Sequence, residues 1–367
     1  MDPLGHFSGP TRDWFTSTFP SPTAAQVEGW QAIARGQHTL IAAPTGSGKT
    51  LAAFLWCLDR LAVEPEPDEP RRGCRVLYIS PLKALAHDVE RNLKAPLVGI
   101  GLAAQRRGGP PPQISVALRT GDSSPADRRD IARTPPDILI TTPESLYLLL
   151  TSRAEEILRS VRWVIVDEIH SVAGSKRGAH LALSLERLEQ AVDAPLQRIG
   201  LSATQKPMEE IGRFLGGVDR AVTLVDVGQR KALDLQVIVP LEDMAQPPPV
   251  EPTGGSVLTP EARASIWPSI YPRLLELVQS RRSTLIFVNS RRLAERLAQR
   301  LNELAQAADP DALPLVRAHH GSISREQRLA VEEALKAGTL RGLVATSSLE
   351  LGIDMGAIDL VVQVESP

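Results

Sequence analysis

The run from Ala43 to Thr50 has the composition of a phosphate-binding loop. It reads Ala-Pro-Thr-Gly-Ser-Gly-Lys-Thr, between an apolar run at 39–42 and a helix-compatible apolar run at 51–61. In this strand–loop–helix context, glycines let backbone amides turn towards a phosphate, and the helix N-terminus adds its positive end. Lys49 would reach the β- and γ-phosphates, and the Thr50 hydroxyl would ligate Mg²⁺. Ala43 replaces the usual first glycine, yet the context predicts a chain that binds a nucleoside triphosphate.

Two adjacent carboxylates, Asp167 and Glu168, close a second apolar run at 164–166. The carboxyl ends of strands are where α/β sheets bind their ligands. There, Asp167 would hold Mg²⁺, mostly through water, and Glu168 would orient and deprotonate the attacking water. An acidic strand end before a turn is common, so the pair alone says little. Its position about 120 residues after the phosphate loop, on an apolar strand, favours the catalytic interpretation.

The segments that must position these motifs alternate between short apolar runs and longer helical patterns. This alternation is typical of an α/β protein whose parallel sheets are covered on both faces. The first predicted strands are 75–80, 114–118, 137–141, 163–167 and 198–202, with helices at 82–93 and 179–191. After a Pro- and Gly-rich segment at 246–255, the pattern starts again. Its predicted strands are 284–288, 315–318, 342–346 and 360–364, with helices at 290–307 and 325–337.

The whole-chain composition is that of a soluble globular protein. Of 367 residues, 43% are hydrophobic and 23% are charged, and the net charge of −2 offers no global argument for nucleic-acid binding. The two cysteines form neither a disulfide framework nor a zinc site, and Cys57 is predicted to be a buried structural thiol. Because we find no leader and no apolar run of membrane-spanning length, we expect a cytoplasmic protein.

The Asp-Glu-Ile-His sequence at 167–170, together with Ser-Ala-Thr at 202–204, resembles the core of superfamily 2 helicases. The resemblance implies two tandem RecA-like P-loop NTPase domains, at 1–225 and 266–367, joined by a linker at 226–265. Further segments resemble other motifs of that superfamily, in the expected order. They are Phe19, Thr23 and Gln26 ahead of the phosphate loop, then 81–85 and 141–145, and in the second domain 286–291, 319–322 and 345–354.

The spellings Thr-Thr-Pro-Glu-Ser-Leu, Asp-Glu-Ile-His and Ser-Ser-Leu-Glu-Leu-Gly-Ile-Asp are most similar to the large-helicase-related (Lhr) family. This resemblance implies an ATP-dependent helicase or translocase: a single-stranded-DNA-dependent ATPase that moves 3′ to 5′ and unwinds DNA or RNA:DNA duplexes, with DNA repair as its context. Its cofactors would be ATP and Mg²⁺. Its partners would be single-stranded DNA or RNA and duplex junctions, with no membrane, and it would associate with the nucleoid when bound to DNA.

The resemblance also assigns roles to single residues. The catalytic residues would be Lys49, Asp167 and Glu168. The nucleotide would be bound by Gln26, Thr45, Gly46, Ser47, Gly48, Lys49, Thr50, Gly352 and Asp354, and the metal by Thr50 and Asp167. Nucleic-acid contact, or coupling of the two sites, would involve Lys83, Thr142, Pro143, His170, Ser202, Thr204, Asn289, Arg291, Gly321 and Thr346.

Some of these residues have simpler interpretations. Lys83 opens an amphipathic helix and could be a solvated surface lysine, although a helix N-terminus can also hold a phosphate of the tracked strand. Thr142 and Pro143 make a good helix start by themselves. His319 and His320 lack Cys or His partners at ligand spacing, so we do not predict a metal site there.

The sequence departs from the family pattern after the strand predicted at 360–364, because it ends at Pro367 without the family's last motif. That motif, Gln-x-x-Gly-Arg-x-x-Arg, should follow the strand by roughly ten to twenty residues. Its arginines reach the γ-phosphate, and such a group is worth about 10³–10⁵ in rate. We therefore expect the chain to be the N-terminal part of a longer polypeptide. The alternatives are an ATP-gated nucleic-acid clamp or regulator without turnover, and an RNA-only DEAD-box helicase.

Overall fold

The computed structural model describes residues 2–44, 46–64, 73–81, 83–204, 206–228, 234–239, 241, 266–310, 313–320, 322–346 and 358–364. The chain divides into two compact units, Met1–Lys231 and Ala232–Pro367. Within the described residues, each unit is built on a parallel sheet with helices in its connections. The predicted α/β class is therefore confirmed. The Pro- and Gly-rich segment at 246–255 lies outside the described residues.

In the described part of the first unit, the sheet has seven strands and every pairing is parallel. The strands are β1 His38–Ala42, β2 Val76–Ile79, β3 Val116–Arg119, β4 Ile138–Thr141, β5 Trp163–Val166, β6 Gln197–Ser202 and β7 Val222–Asp226. Their order across the sheet is β3-β4-β2-β5-β6-β1-β7. Since β5, β6 and β1 are neighbours and parallel, their carboxyl ends meet at one edge.

Helices connect these strands. They are α1 Gly9–Thr18, α2 Ala24–Ala34, α3 Lys49–Val63, α4 Lys83–Arg106, α5 Pro125–Arg133, α6 Pro143–Leu150, α7 His170–Ala173, α8 Lys176–Ala191 and α9 Met208–Gly216, with a 3₁₀ helix at Arg153–Leu158. Several begin with a side-chain cap. Ser124 caps α5 and Ser175 caps α8, in each case by accepting a hydrogen bond from a backbone N–H of the first turn.

The core of the first unit lies on both faces of its sheet. Successive side chains of a strand point to opposite faces, and β5 shows this directly. Ile165 packs in a cluster with Trp30 and Phe54, whereas Val164 packs in a second cluster with Leu185. All four residues of β5 are buried, as expected for a parallel strand that has helices on both sides.

The second unit repeats this plan with fewer elements. In its described residues, β8 Thr284–Phe287, β9 Val316–His319, β10 Gly342–Ala345 and β11 Leu360–Gln363 form a parallel sheet in the order β11-β8-β10-β9. The helices are α10 Trp267–Gln279, α11 Arg291–Ala308 and α12 Arg325–Lys336. Apolar clusters pack on this sheet too; one contains Leu297 of α11 with Ile286 and Val344 of the strands.

The predicted strands agree with the observed ones to within one or two residues at most ends. The helix predicted at 82–93 is much longer, because α4 runs through Pro96 to Arg106. An interior proline ordinarily ends or kinks a helix. The edge strand β7 was not predicted, and only one of its five residues is buried. Such a strand carries little of the apolar signal on which strand prediction depends.

Candidate active site

The phosphate loop connects β1 to α3 at the carboxyl edge of the first sheet. Its first residue is held at the neighbouring strand, where the Ala43 N–H donates to the Ser202 carbonyl oxygen at 3.2 Å. Gly46 and Gly48 have φ of +79° and +81°. Few residues other than glycine adopt this left-handed conformation. The chain therefore turns into α3 in the way that a phosphate loop requires.

Lys49 is the first residue of α3 and is only 7% exposed. Its Nζ donates a hydrogen bond to the Ala43 carbonyl oxygen at 2.6 Å, so the ammonium lies back along the loop. Burial lowers the pKa of Lys49, and the nearby Glu168 and Asp167 carboxylates oppose that shift. A desolvated cation at a helix N-terminus is well placed to bind a polyanion.

Gln26 lies beside the loop and is 4% exposed. It forms a capping box with Thr23 at the start of α2: its Oε1 accepts from the Thr23 N–H at 2.9 Å, and its own N–H donates to Thr23 Oγ1 at 3.3 Å. A Cβ placed on Gly48 would lie 2.5 Å from Gln26 Nε2. The Thr23 hydroxyl also donates to the Ser47 carbonyl oxygen at 2.8 Å. This segment therefore braces the loop.

Asp167 directly follows β5 and is 6% exposed. Both of its carboxylate oxygens accept hydrogen bonds. The Tyr78 hydroxyl donates to Oδ2, and the Glu168 N–H donates to Oδ1 at 2.9 Å. Burial raises the pKa of Asp167 to about 6, although the Tyr78 hydrogen bond acts in the opposite direction. A carboxylate whose charged form is disfavoured by burial is one that a bound cation would stabilise.

Glu168 has a backbone φ of +43°, in a region that non-glycine residues rarely adopt. Such conformations persist where the surrounding contacts enforce them. Burial raises the pKa of the Glu168 carboxylate, and the Lys49 charge opposes this shift. A carboxylate with a raised pKa accepts a proton more readily, which suits a general base.

His170 connects the carboxylate pair to the Ser-Ala-Thr segment. Its Nδ1 accepts a hydrogen bond from the Ala203 N–H at 3.2 Å, and Glu168 Oε2 lies 3.4 Å from the same nitrogen. Burial lowers the pKa of His170, so the ring is assigned as neutral with its proton on Nε2. Nδ1 therefore accepts from Ala203 and donates nothing to Glu168. Thr204, which follows, is exposed.

The residues predicted to hold Mg²⁺ fit that ion. Asp167 offers a buried oxygen ligand, and Thr50, half-buried in the first turn of α3, offers a hydroxyl. Mg²⁺ commonly binds through one or two carboxylates together with substrate phosphates and water. Among the described residues no cluster of three or more His, Cys, Asp or Glu could hold a metal. The other ligands of Mg²⁺ at Asp167 and Thr50 would be phosphate oxygens and water.

The predicted nucleic-acid residues of the first unit lie at the same edge of the sheet. Lys83, the first residue of α4, is exposed, and its Nζ donates to Asp122 Oδ1 at 2.6 Å. Thr142 is the N-cap of α6, with its hydroxyl 3.3 Å from that of Ser145, and Pro143 is the first helical residue. The helix start predicted from sequence is therefore confirmed for this pair.

In the second unit, the described candidates lie just after the strands, on loops or, for Arg291, at the start of α11. Asn289 is exposed between β8 and α11, and Arg291 donates from Nη1 to Ser322 Oγ at 2.7 Å. The Thr346 N–H, after β10, donates to the His319 carbonyl oxygen at 3.3 Å. Four predicted residues lie outside the described ones: Thr45, Gly321, Gly352 and Asp354.

Two known domain families account for most of the chain. The DEAD/DEAH box helicase pattern matches residues 23–211, and the helicase conserved C-terminal domain matches residues 269–367. The chain belongs to the DEAD/DEAH box helicase family. In this DEAD/DEAH box helicase chain, the first match contains the phosphate loop and the Asp-Glu-Ile-His segment, and the second contains the whole four-stranded sheet.

Within this family, the chain is similar to Lhr helicases. An Lhr helicase and probable uracil glycosylase of Mycolicibacterium smegmatis is 54% identical over 100% of this chain and 25% of its own length. An Lhr helicase/uracil glycosylase of Escherichia coli is 49% identical over 98% of this chain and 25% of its own. The solved structure of Mycobacterium smegmatis helicase Lhr bound to ssDNA and AMP-PNP has 56% identity and a TM-score of 0.82, covering 100% of this chain and 45% of that one.

The predicted resemblance to Lhr helicases, and with it the pair of RecA-like sheets, is confirmed. The chain spans about a quarter of the length of these two curated relatives. Each helix in the described part of this helicase-family chain is too short or too polar to cross a membrane.

Sequence reasoning missed two residues that contact the motifs directly. Tyr78 donates to the Asp167 carboxylate from a neighbouring strand, and Asp122 pairs with Lys83 across 39 positions of sequence. Tyr78 had a weak sequence signal, since it is the one residue with a polar group in the strand Val-Leu-Tyr-Ile. A hydroxyl within a buried strand needs a hydrogen-bond partner. Asp122 had no comparable signal.

Proposed function

We propose that this chain is the ATP-binding core of an Lhr-like helicase, which couples ATP hydrolysis to movement along single-stranded DNA. The observation that carries the proposal is that the buried Lys49 and Asp167 and the half-buried Glu168 lie at one sheet edge, near enough for the Lys49 charge to oppose the burial-raised pKa of both carboxyl groups. Phosphoryl transfer needs a cation for the phosphates, a carboxylate for the metal and a base for water. The similarity to an Lhr structure that holds ssDNA and AMP-PNP, an analogue of ATP, supports the binding of ATP and single-stranded DNA by this chain.

Each residue has a separate task in this reaction. Lys49 binds the β- and γ-phosphates, and the turned backbone at Gly46 and Gly48 surrounds them with N–H donors. Bound Mg²⁺ would neutralise phosphate charge, held by Thr50 and Asp167. Glu168 orients a water and accepts its proton as the oxygen attacks the γ-phosphorus and the bond to the ADP oxygen breaks.

The strand-binding residues belong to the same proposal. Lys83, at the N-terminus of α4, and the Thr142 N-cap of α6 present positive or hydroxyl groups at the same edge of the sheet as the nucleotide residues, and both suit a phosphodiester. His170 carries the connection, because it hydrogen-bonds the Ala203 backbone that follows β6. Movement from 3′ to 5′, unwinding of DNA or RNA:DNA duplexes and a role in DNA repair follow from the Lhr resemblance.

The test compares ATP hydrolysis by the complete protein, with and without single-stranded DNA, for two variants. Lys49→Ala should abolish stimulated hydrolysis and weaken nucleotide binding. Glu168→Gln should lower turnover by at least about 10²-fold yet leave nucleotide binding intact. Lys176→Ala is the matched control, since Lys176 is also the first residue of a helix but is exposed. It should behave as the unmodified protein.

Three results would contradict the proposal. Undiminished turnover in Lys49→Ala or Glu168→Gln would remove these residues from the reaction. Strand affinity that changes with ATP while no phosphate is released would identify a nucleotide-gated clamp instead. Stimulation by RNA but not by DNA, measured with strands of matched sequence, would indicate the RNA-only alternative.

A further inference from the structure

Tyr78 lies at the centre of the first unit, on β2, and its side chain is fully buried. Strands β2 and β5 pair in parallel with Tyr78 opposite Ile165, and the Asp167 N–H donates to the Ile79 carbonyl oxygen at 2.9 Å. The register of this pairing brings the Tyr78 hydroxyl to Asp167 Oδ2, to which it donates. The position of the Asp167 carboxylate is thus fixed by the backbone pairing of β2 with β5 and by the hydrogen bond from Tyr78.

The tyrosine ring is itself held in place. It stacks on Phe54 of α3, with ring centroids 4.9 Å apart and planes 24° from parallel. Since α3 begins at Lys49, the ring spans from the phosphate-loop helix to the strand that carries the carboxylates. The ring is fully buried and stacked, and such aromatic contacts add to the burial energy, so the direction of the hydroxyl is set by the packing.

The other oxygen of Asp167 continues the connection. Oδ1 accepts from the Glu168 N–H at 2.9 Å, and Glu168 has the unusual φ of +43°. A side-chain oxygen that accepts from the next backbone N–H favours a tight local turn. The orientation of the Asp167 carboxylate and the direction of the Glu168 side chain are therefore parts of one hydrogen-bonded unit.

We propose that Tyr78 is a positioning residue for hydrolysis: its hydroxyl fixes the plane of the Asp167 carboxylate and, through the Asp167–Glu168 hydrogen bond, the position of Glu168. This inference rests on the proposed function. A phenylalanine would fill the same space and stack on Phe54 equally well, so packing alone does not require the hydroxyl. Groups that orient a metal-binding carboxylate typically alter metal affinity or activity 10–100-fold when removed.

The experiment uses the full chain with Tyr78→Phe, and it measures binding of a fluorescent ATP analogue as the Mg²⁺ concentration is varied. We expect the Mg²⁺ concentration for half-maximal enhancement of binding to rise by about tenfold, with metal-free binding unchanged. Turnover should fall by about 10–100-fold while the KM for ATP at saturating Mg²⁺ stays within about twofold.

Tyr271→Phe is the matched control, because Tyr271 also stacks on an aromatic ring, that of Trp267 at 5.6 Å, but lies on α10 of the second unit. It should change neither measurement. A lower melting temperature in Tyr78→Phe with unchanged Mg²⁺ dependence would overturn the proposal in favour of a purely structural role, and so would unchanged binding and turnover.

The proposed function and the positioning role of Tyr78 can be tested separately. If Lys49→Ala and Glu168→Gln remove turnover but Tyr78→Phe has no effect, only the role of Tyr78 is wrong. If those two variants keep full turnover, the proposed function is wrong, whatever Tyr78→Phe does.

Discussion

Asp167 carries a thermodynamic cost in the nucleotide-free protein. Burial raises its pKa from 3.8 to about 6, so the folded state binds this proton more tightly than the unfolded state does. Stability must then fall as the pH rises from about 4 to 6, because the unfolded chain ionises first, and it stays lower above that range. Above about pH 6 the ionised Asp167 therefore lowers the stability of the protein unless a cation binds it.

The first prediction is that Asp167→Asn changes stability in a pH-dependent manner. The free energy of unfolding of the variant, minus that of the unmodified protein, should be larger at pH 8 than at pH 4 by about 1–3 kcal/mol, since an amide never ionises. Urea titrations without nucleotide or metal would measure this difference. Asp13→Asn should show the opposite trend, because the Arg107 hydrogen bond lowers the pKa of that carboxyl. An equal effect of Asp167→Asn at both pH values would contradict the argument.

At the scale of elements, Arg198 holds β6 to two helices. It is 1% exposed, and its guanidinium donates to Glu186 Oε1 at 3.1 Å and Glu189 Oε2 at 2.9 Å on α8. It also donates to the carbonyl oxygens of Leu185, at 3.3 Å, and Leu215, at 3.1 Å. Leu215 lies in the last turn of α9, where carbonyls lack helical partners. One side chain thus anchors the strand that leads into Ser202.

Replacing Arg198 by methionine should therefore lower the free energy of unfolding. The variant keeps the apolar stem but removes the hydrogen bonds to the Leu215 carbonyl oxygen and the Glu189 carboxylate, while Glu186 keeps the one from Arg220. The expected loss is about 2–4 kcal/mol in the free energy of unfolding. Chemical denaturation would measure it. Arg213→Met is the control: Arg213 pairs with Glu210 at the surface, and such pairs contribute at most about 1 kcal/mol. Equal losses in both variants would show that the buried network does not matter.

The elements and the site differ in how far sequence could predict them. Strand β5 and the phosphate loop were predictable because their signals are local: a run of apolar residues, a glycine spacing and two following carboxylates. The Tyr78–Asp167 and Ala203–His170 hydrogen bonds were not, since each depends on the register between strands distant in sequence. The helix predicted at 82–93 was too short because α4 continues through Pro96, a residue type that ordinarily ends or kinks a helix.

At the scale of the whole molecule, each unit has apolar clusters of its own. Those of Met1–Lys231 cover both faces of the seven-stranded sheet, and the described part of the second unit has two smaller clusters. The described residues assigned above to phosphate, metal and water lie in the first unit, whereas Gly352 and Asp354, also predicted to bind the nucleotide, belong to the second. The size of the first unit also exceeds the usual minimum for an independent core.

We therefore predict that residues 1–231, expressed alone, fold cooperatively and bind a fluorescent ATP analogue. A domain of this kind should have a free energy of unfolding of about 5–15 kcal/mol. Calorimetry and fluorescence titration would check both statements, with Lys49→Ala in the same fragment as the control for specific binding. A fragment that unfolds without a cooperative transition, or that binds the analogue equally well with and without Lys49, would contradict the prediction.

Cys57, in α3, and Cys74, just before β2, are both buried free thiols, as predicted for Cys57. Burial raises the pKa of both, that of Cys74 to about 12, so neither forms the thiolate that alkylating reagents attack. A maleimide dye added to the native protein would thus leave the chain unlabelled. A single cysteine introduced at an exposed position would then be the one site that carries the dye. The two native thiols would react only when the first unit unfolds, so the rate of their labelling would report the rate of unfolding.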